Sequence, residues 1–192
     1  GMNTIENIKK ATDIFIKKNV QFALLHTTNL YPTPNKLVRL GALYDLANNF
    51  PNTVIGLSDH TITNHACFGA VALGASILER HFTDHMNRTG PDIVCSMDKD
   101  ECRNLILGSN IIFEQRGGIK EPAAEEQVTI DFAFASVCSI TKIKKGDKFT
   151  VNNIWVKRPG KGGILAEKFE DILNKTAAKD IGIDTQITWD DI

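Results

Sequence analysis

An α/β fold built on a parallel sheet, followed by a second, smaller β-rich unit, is the architecture this sequence predicts. Three observations carry it. Up to residue 118, apolar stripes at helical spacing alternate with short apolar runs of strand length. The connections between them are short, which favours right-handed crossover units and a parallel sheet. Beyond residue 127 the pattern gives way to short β-like runs separated by Lys-Gly and Asp turns.

Each element follows from local pattern. Asn3 with Glu6 resembles a capping arrangement, and Ile5, Ile8, Thr12, Phe15 and Ile16 recur at helical spacing, so a helix is expected from Thr4 to Lys18, stopping at Asn19. Gln21 to His26 reads as a strand running into the polar Thr27–Pro32 stretch. Leu37, Leu40, Leu43, Tyr44 and Leu46 form the next helical stripe, broken by Asn48-Asn-Phe-Pro51. Val54 to Leu57 is a buried strand, Thr63 to Leu73 a small-residue helix suited to lie close against a sheet, and Ser76 to Glu79 a third strand. A polar loop, Asp84 to Asp92, precedes a helix from Asp98 to Gln115 that ends at Arg116-Gly-Gly118. Three strands of this kind do not make a barrel.

Ile119 to Gln127 is charged and turn-prone and reads as a linker. The following residues, 128–192, read as a separate domain with β-like runs at Ala135–Val137, Phe149–Val151 and Ile154–Val156 and one short helix near Phe169–Leu173.

Bulk composition narrows the function. The chain has 192 residues, 42% of them apolar, enough for a sizeable core. Its 22 basic and 23 acidic residues are interspersed and leave a net charge of −1, so no long-range positive field exists for nucleic acid or anionic lipid. No apolar run approaches the roughly 20 residues of a membrane span, and the first residues lack the basic start and apolar middle of a signal peptide. A cytoplasmic setting is expected. Cys67, Cys95, Cys102 and Cys138 lack CxxC spacing and suit reduced thiols.

The chemistry-bearing residues gather where strands end. Gly56-Leu-Ser-Asp-His-Thr61 and Ile77-Leu-Glu-Arg-His-Phe-Thr83 place His60 and His81 at matching points of two successive strands, each where an apolar run turns polar. Parallel α/β proteins do their chemistry at such carboxyl ends, and two imidazoles there suit one Mn²⁺, Zn²⁺ or similar ion. An alternative stays open, in which each imidazole only hydrogen-bonds a neighbouring carboxylate, Asp59 or Glu79. His26 reads as a packing or hydrogen-bonding group, His65 as a helix start and His85 as a loop residue. Asn29 and Tyr31, just past the first strand, offer an amide and a phenol to a pocket over the sheet, or else serve the turn before Pro32. Ser58 suits a phosphate or carboxylate oxygen, and Asp92 sugar hydroxyls. Lys157-Arg-Pro-Gly160 puts the Arg158 fork in a loop, a fit for an anionic or polyhydroxylated ligand.

Together, Leu24-Leu-His26, Asn29-Leu-Tyr-Pro-Thr-Pro34, Val38-Arg-Leu-Gly41, the two histidine strings, Gly69-Ala-Val-Ala-Leu-Gly74, Gly90-Pro-Asp92, Asp131-Phe-Ala-Phe-Ala-Ser136 and Trp155-Val-Lys-Arg-Pro-Gly160 resemble the bacterial sialic acid synthase family across nearly the whole chain. The resemblance implies condensation of phosphoenolpyruvate with N-acetylmannosamine or a related amino sugar, releasing phosphate. It implies a (β/α)₈ barrel joined to an antifreeze-like (SAF) domain, in a homodimer that swaps the C-terminal domain. By motif, His60 and His81 correspond to Mn²⁺ ligands that are also catalytic through the ion. Asn29 and Ser58 fall on phosphoenolpyruvate positions, and Tyr31 and Asp92 fall beside the amino sugar. Arg158 falls on an arginine that reaches the partner's sugar site, which Phe132 or Phe134 borders.

A (β/α)₈ barrel takes roughly 250 residues. Residues 1–118 therefore resemble only its last three strands and their helices, with Gly1-Met-Asn3 similar to the end of the fifth strand. A sheet cut in this way is expected to oligomerise or to be partly disordered over residues 1 to 83. Two other readings are a dimerisation and sugar-binding module acting through residues of about 127 to 192 without turnover, and another phosphoenolpyruvate-dependent keto-sugar-acid synthase.

Overall fold

The computed structural model describes residues 1–192 as two compact units, Gly1–Gly118 and Ile119–Ile192. In the first, α1 (Ile5–Lys17) opens at Thr4, whose side chain accepts a hydrogen bond from the Asn7 N–H. The expected cap at Asn3 is displaced by one residue because the Asn3 amide donates instead to the Gly1 carbonyl at 2.8 Å. β1 (Ala23–Thr27) follows. The stripe beginning at Leu37 is not one helix: a 3₁₀ turn at Asn35–Leu37 precedes α2 (Ala42–Asn49). Arg39, at φ +52°, stands between them, and left-handed backbone cannot continue a right-handed helix.

β2 (Val54–Asp59), α3 (His65–Ala72), β3 (Ile77–Arg80) and α4 (Lys99–Gln115) complete the unit. The start of α4 is fixed by Asp98, whose carboxylate accepts from the Asp100 and Glu101 N–H groups at 3.0 and 2.9 Å. The three strands form a parallel sheet in the order β1-β2-β3, with Thr27 opposite Ser58, Ser58 opposite Glu79, and Asp59 opposite Arg80.

Side chains alternate across this sheet. Leu24, Ile55, Leu57 and Leu78 pack with Leu43 and Leu46 of α2, Ala66, Cys67 and Ala70 of α3, and Leu105 of α4 in one cluster. The helices therefore share one face of the sheet, and each buried Leu contributes about 1.5–3 kcal/mol. Gly56, Ser58 and Glu79 belong to the other face. A side chain at Gly56 would run into the Ile77 carbonyl, so glycine lets β2 and β3 approach there. β1 and β3 are edge strands, and Val54 and Ile77 are exposed.

The second unit opens with a 3₁₀ turn at Ala124–Glu126 that runs directly into α5 (Gln127–Ala133). No helix was expected there. Its signal is local: the Gln127 amide donates to Asp131, four residues on, at 2.7 Å. β4 (Ser136–Ser139) pairs antiparallel with β5 (Ile154–Lys157), and α6 (Phe169–Ile172) is a single turn. Isolated bridges join Ile143 to Ile181 and Lys148 to Thr176. Val137, Ile143, Phe149, Ile154, Ile164, Ile172 and Ile187 form its core.

The expected strand at Phe149–Val151 is a turn. The Thr150 N–H donates to Asn153 Oδ1 at 2.7 Å and the Ile154 N–H to the Thr150 carbonyl at 3.0 Å, so Phe149 is buried while Val151 is exposed. No helix in either unit is long and apolar enough to cross a membrane.

Candidate active site

The carboxyl ends of β2 and β3 are locked together by a buried pair. Asp59 and Arg80 are cross-strand partners whose charged groups lie 3.4 Å apart with almost no exposure. Asp59 also accepts from the Thr61 N–H at 3.0 Å and hydroxyl at 2.8 Å. Arg80 donates to the Thr61 carbonyl at 2.6 Å and to Asn64, which in turn donates to the Glu101 carbonyl at the start of α4. Hydrogen bonds to both Asp59 oxygens and from both terminal nitrogens of Arg80 make the buried ion pair tolerable, with Arg80 Nε facing Asp59 through charge alone.

This network sets the direction of the residues that follow each partner in sequence, His60 and His81. His60 is buried, and its Nδ1–H donates to the Thr28 carbonyl at 2.9 Å. Nδ1 therefore carries the proton and Nε2 keeps its lone pair. The His60 carbonyl accepts from the Thr33 N–H, and the His81 carbonyl from the Met97 N–H, each at 2.9 Å. Both strand ends are thereby tied to the loops beyond them. His81 turns Nδ1 toward Asp92 Oδ2 at 3.7 Å. Neither Asp59 nor Glu79 is the partner of an imidazole. Asp59 is engaged by Arg80, and Glu79 accepts from the Ser58 hydroxyl across the strands.

Tyr31 completes the cluster. Its ring centroid lies 4.2 Å from that of His60 and 5.7 Å from that of His81, and the two imidazoles are 5.1 Å apart at an interplanar angle of 71°. Tyr31 is 46% exposed, so the three rings line an open face rather than a closed cavity. A cavity of about 500 Å³ lies elsewhere in this unit, between the first residues of the chain (1–5 and Ile8), Leu24–Thr27 of β1, Arg39 and α2, on the free flank of β1, where no neighbouring strand pairs.

Of the sequence-predicted residues, Tyr31, His60, His81 and Asp92 come together here, with Ser58 two residues before His60. Asn29 is exposed in the loop after β1, and no hydrogen bond ties its amide to the others. Arg158 belongs to the second unit, exposed in the loop after β5. That loop is pinned by the buried Ser136 hydroxyl, which donates to the Pro159 carbonyl at 2.8 Å, and by the Gln186 amide, which donates to Pro159 and Lys161 carbonyls at 2.9 and 3.1 Å. Phe132 and Phe134, both exposed, also belong to the second unit. Sequence reading missed the Asp59–Arg80 lock, which spacing does not reveal, and Cys95, whose thiol donates to the Asp92 carbonyl at 3.3 Å with its sulfur within 4.8 Å of ligand atoms of His81 and Asp92.

The chemistry of the donor set fits a divalent ion. His60 offers a free Nε2, and His81, Asp92 and Cys95 offer ligand atoms that all lie within 4.8 Å of one another. Burial, reinforced by the Asp92 charge, raises the Cys95 thiol, and burial pushes the Cys67 thiol up to about 12. All four cysteines are free. His26 is held below its ordinary value by burial, its Nε2–H donating to the Val38 carbonyl at 2.8 Å.

A parallel sheet with histidines at two adjacent strand ends, followed by a small β-containing unit, defines a two-part α/β protein of the kind that carries its chemistry on strand ends. The chain belongs to the NeuB family, whose sequence profile matches residues 1–121, and the SAF domain profile matches residues 135–192. It is 37% identical over 183 residues to an N,N'-diacetyllegionaminic acid synthase of Campylobacter jejuni, covering 93% of this chain and 54% of that one. It is 35% identical to the spore coat polysaccharide biosynthesis protein SpsE of Bacillus subtilis, covering 91% and 52%. Among solved structures it resembles the N-acetylneuraminic acid (sialic acid) synthetase of Leptospira borgpetersenii in complex with citrate. There the TM-score is 0.63 at 34% identity, over 68% of this chain and 46% of that one. The chain thus spans about half the length of the curated relatives it matches.

Proposed function

We propose that this chain contributes the metal-binding and amino-sugar side of a synthase that condenses phosphoenolpyruvate with N-acetylmannosamine or a related amino sugar and releases phosphate. In this reading β1, β2 and β3 are the last three strands of a (β/α)₈ barrel, and residues 119–127 link them to an antifreeze-like domain over 128–192. The convergence of Tyr31, His60 and His81 at the strand ends is the observation that carries it. The family relationship supplies the reaction class.

His60 through Nε2, together with His81, would hold a divalent ion, Mn²⁺ in this reading. Bound there, such an ion supplies Lewis-acid polarisation of the acceptor aldehyde. The chain's own groups do the rest. The Thr28 carbonyl fixes the His60 tautomer, and the Asp59–Arg80 lock fixes the spacing of the two strand ends. The Asn29 amide donates a hydrogen bond to an oxygen of phosphoenolpyruvate, and the Ser58 hydroxyl turns from Glu79 to do the same. Tyr31 packs beside the amino sugar, and Asp92 accepts from its hydroxyls. C3 of phosphoenolpyruvate attacks the aldehyde carbon, water adds at C2, and phosphate leaves. Arg158 faces the N-acetyl group from a swapped second copy in a homodimer. Phosphoenolpyruvate as donor fits a cytoplasmic setting.

Phosphate release from phosphoenolpyruvate with N-acetylmannosamine and Mn²⁺ tests the reading. Release that a chelator stops and His60→Ala abolishes is expected, and release indifferent to both overturns it. The exposed Phe132 and Phe134 and the exposed Arg158 of the second unit favour a second reading, a dimerising and sugar-binding module over about 127 to 192 without turnover. Sugar binding with no phosphate release decides for that one.

A further inference from the structure

His81 has two ring nitrogens, and an ion held together with His60 takes at most one of them. The Nδ1 edge faces a different set of donors. Asp92 Oδ2 is 3.7 Å away, and the Cys95 thiol completes a triad whose ligand atoms all lie within 4.8 Å of one another. Two donors on one tetrahedral zinc, bonded at about 2.0–2.3 Å, sit about 3.3–3.8 Å apart. The His81–Asp92 separation already matches, and the Cys95 sulfur joins them by giving up the hydrogen bond it donates to the Asp92 carbonyl at 3.3 Å.

The three come from separate places: His81 from the end of β3, Asp92 from the loop beyond it, and Cys95 from the 3₁₀ turn Ile93–Cys95. That turn is held by the Ser96 hydroxyl, which donates to the Asp92 carbonyl at 2.8 Å, and by the Cys95 N–H, which donates to the same carbonyl at 3.2 Å. The geometry also provides access. Cys95 is fully buried, His81 is a quarter exposed at its side chain and Asp92 about half exposed, so the thiol forms the floor and the carboxylate the mouth.

We propose that His81 Nδ1, Asp92 and Cys95 form a second site, selective for borderline-soft divalent ions of the zinc and cobalt class, that excludes the ion shared by His60 and His81. Selectivity follows from the donors. Thiolate favours Zn²⁺ and Co²⁺ over Mn²⁺, which prefers oxygen and imidazole. Exclusion follows from the imidazole. A neutral ring has one lone pair, so ligation through Nδ1 puts the proton on Nε2 and removes His81 from the first ion. Seating the ion releases the thiol proton to solvent. A zinc-class ion would thereby withdraw His81 and Asp92 together from the proposed reaction. Exclusion rests on the function proposed above, whereas the Cys95 site itself does not.

Titration of the chain with Co²⁺ tests the site without reference to turnover. A sulfur-to-cobalt charge-transfer band that grows to one equivalent and disappears in Cys95→Ser is expected, with Zn²⁺ affinity falling at least about tenfold in that variant. Asp92→Asn, a change at an exposed position, should weaken the same band if Cys95→Ser perturbs folding. His60→Gln should leave the band intact while abolishing Mn²⁺ binding followed by electron paramagnetic resonance. In the unaltered chain, Zn²⁺ should release Mn²⁺ at lower concentration than in Cys95→Ser. Absence of the band, or its persistence in Cys95→Ser, overturns the site. A band with no Mn²⁺ binding leaves the site standing and overturns only the Mn²⁺ reading.

Discussion

The two units are stabilised in opposite ways. Residues 1–118 bury apolar side chains on one face of a parallel sheet, leave Val54 and Ile77 exposed on the other, and gather their polar groups at the carboxyl ends of the strands. They spend a buried ion pair, Asp59–Arg80, to fix two strand ends. Residues 119–192 have only one two-stranded sheet, yet they enclose Phe149, Ile154, Ile172 and Ile187 completely in a core assembled from β5, the single turn α6 and the loops around them. Where backbone pairing is sparse, side-chain packing sets the structure. Where strands end in polar residues, a buried network of charges and hydrogen bonds does so.

Breaking each unit at its own kind of support sharpens that contrast. Phe149→Ala should cost the second unit about 3–5 kcal/mol, because a wholly buried aromatic leaves a cavity that loops cannot fill without rearranging. Thermal unfolding followed at Trp155 should move down while the imidazole resonances of His60 and His81 stay in place. In the first unit, Asp59→Ala strands the Arg80 charge and should cost about 3 kcal/mol. A double variant, Asp59→Ala with Arg80→Met, should recover much of that loss in denaturant titration. A double variant as unstable as the single one would show that the ion pair is not what holds the strand ends.

Removing the α4 cap by Asp98→Ala should cost about 1 kcal/mol, read as an earlier urea midpoint with unchanged slope. The pH responses should differ as well. His26 has a folded value below its unfolded one because it is buried, so the unfolded chain binds the extra proton first. The first unit should be at full stability above about pH 6.5 and lose stability as the pH falls through that value. In the second unit burial raises Asp191, but the Lys179 ammonium at 2.8 Å and hydrogen bonds from Thr188 outweigh it and hold the carboxyl below its ordinary value. Its contribution is present above about pH 4 and is lost as the pH falls further. Melting temperature against pH, with His26→Gln and Asp191→Asn as controls, separates the two ranges.

Much of the first unit was legible because period and punctuation are local. Asp98 announces α4, and the change from apolar to polar at Asp59 and Arg80 marks the strand ends that carry His60 and His81. Legibility failed where a non-local or backbone choice decided the outcome. Arg39 adopts left-handed backbone and splits an unbroken helical stripe. Asn3 spends its amide on Gly1, so Thr4 becomes the cap. At Phe149–Val151 an apolar run became a turn because Asn153 captured the Thr150 N–H.

The sequence by itself determined the alternation of helices and parallel strands, the position of two histidines at strand ends, and the family motifs that point to a sugar-acid synthase. Those are properties of spacing, and spacing survives without a fold. Only the tertiary structure decided which nitrogen of His60 is free, that Asp59 turns to Arg80 instead of an imidazole, and that Cys95 stands behind His81 with Asp92. Each of those depends on atoms far apart in the chain meeting within a few ångströms, a distance that register and packing set and that no sequence interval encodes.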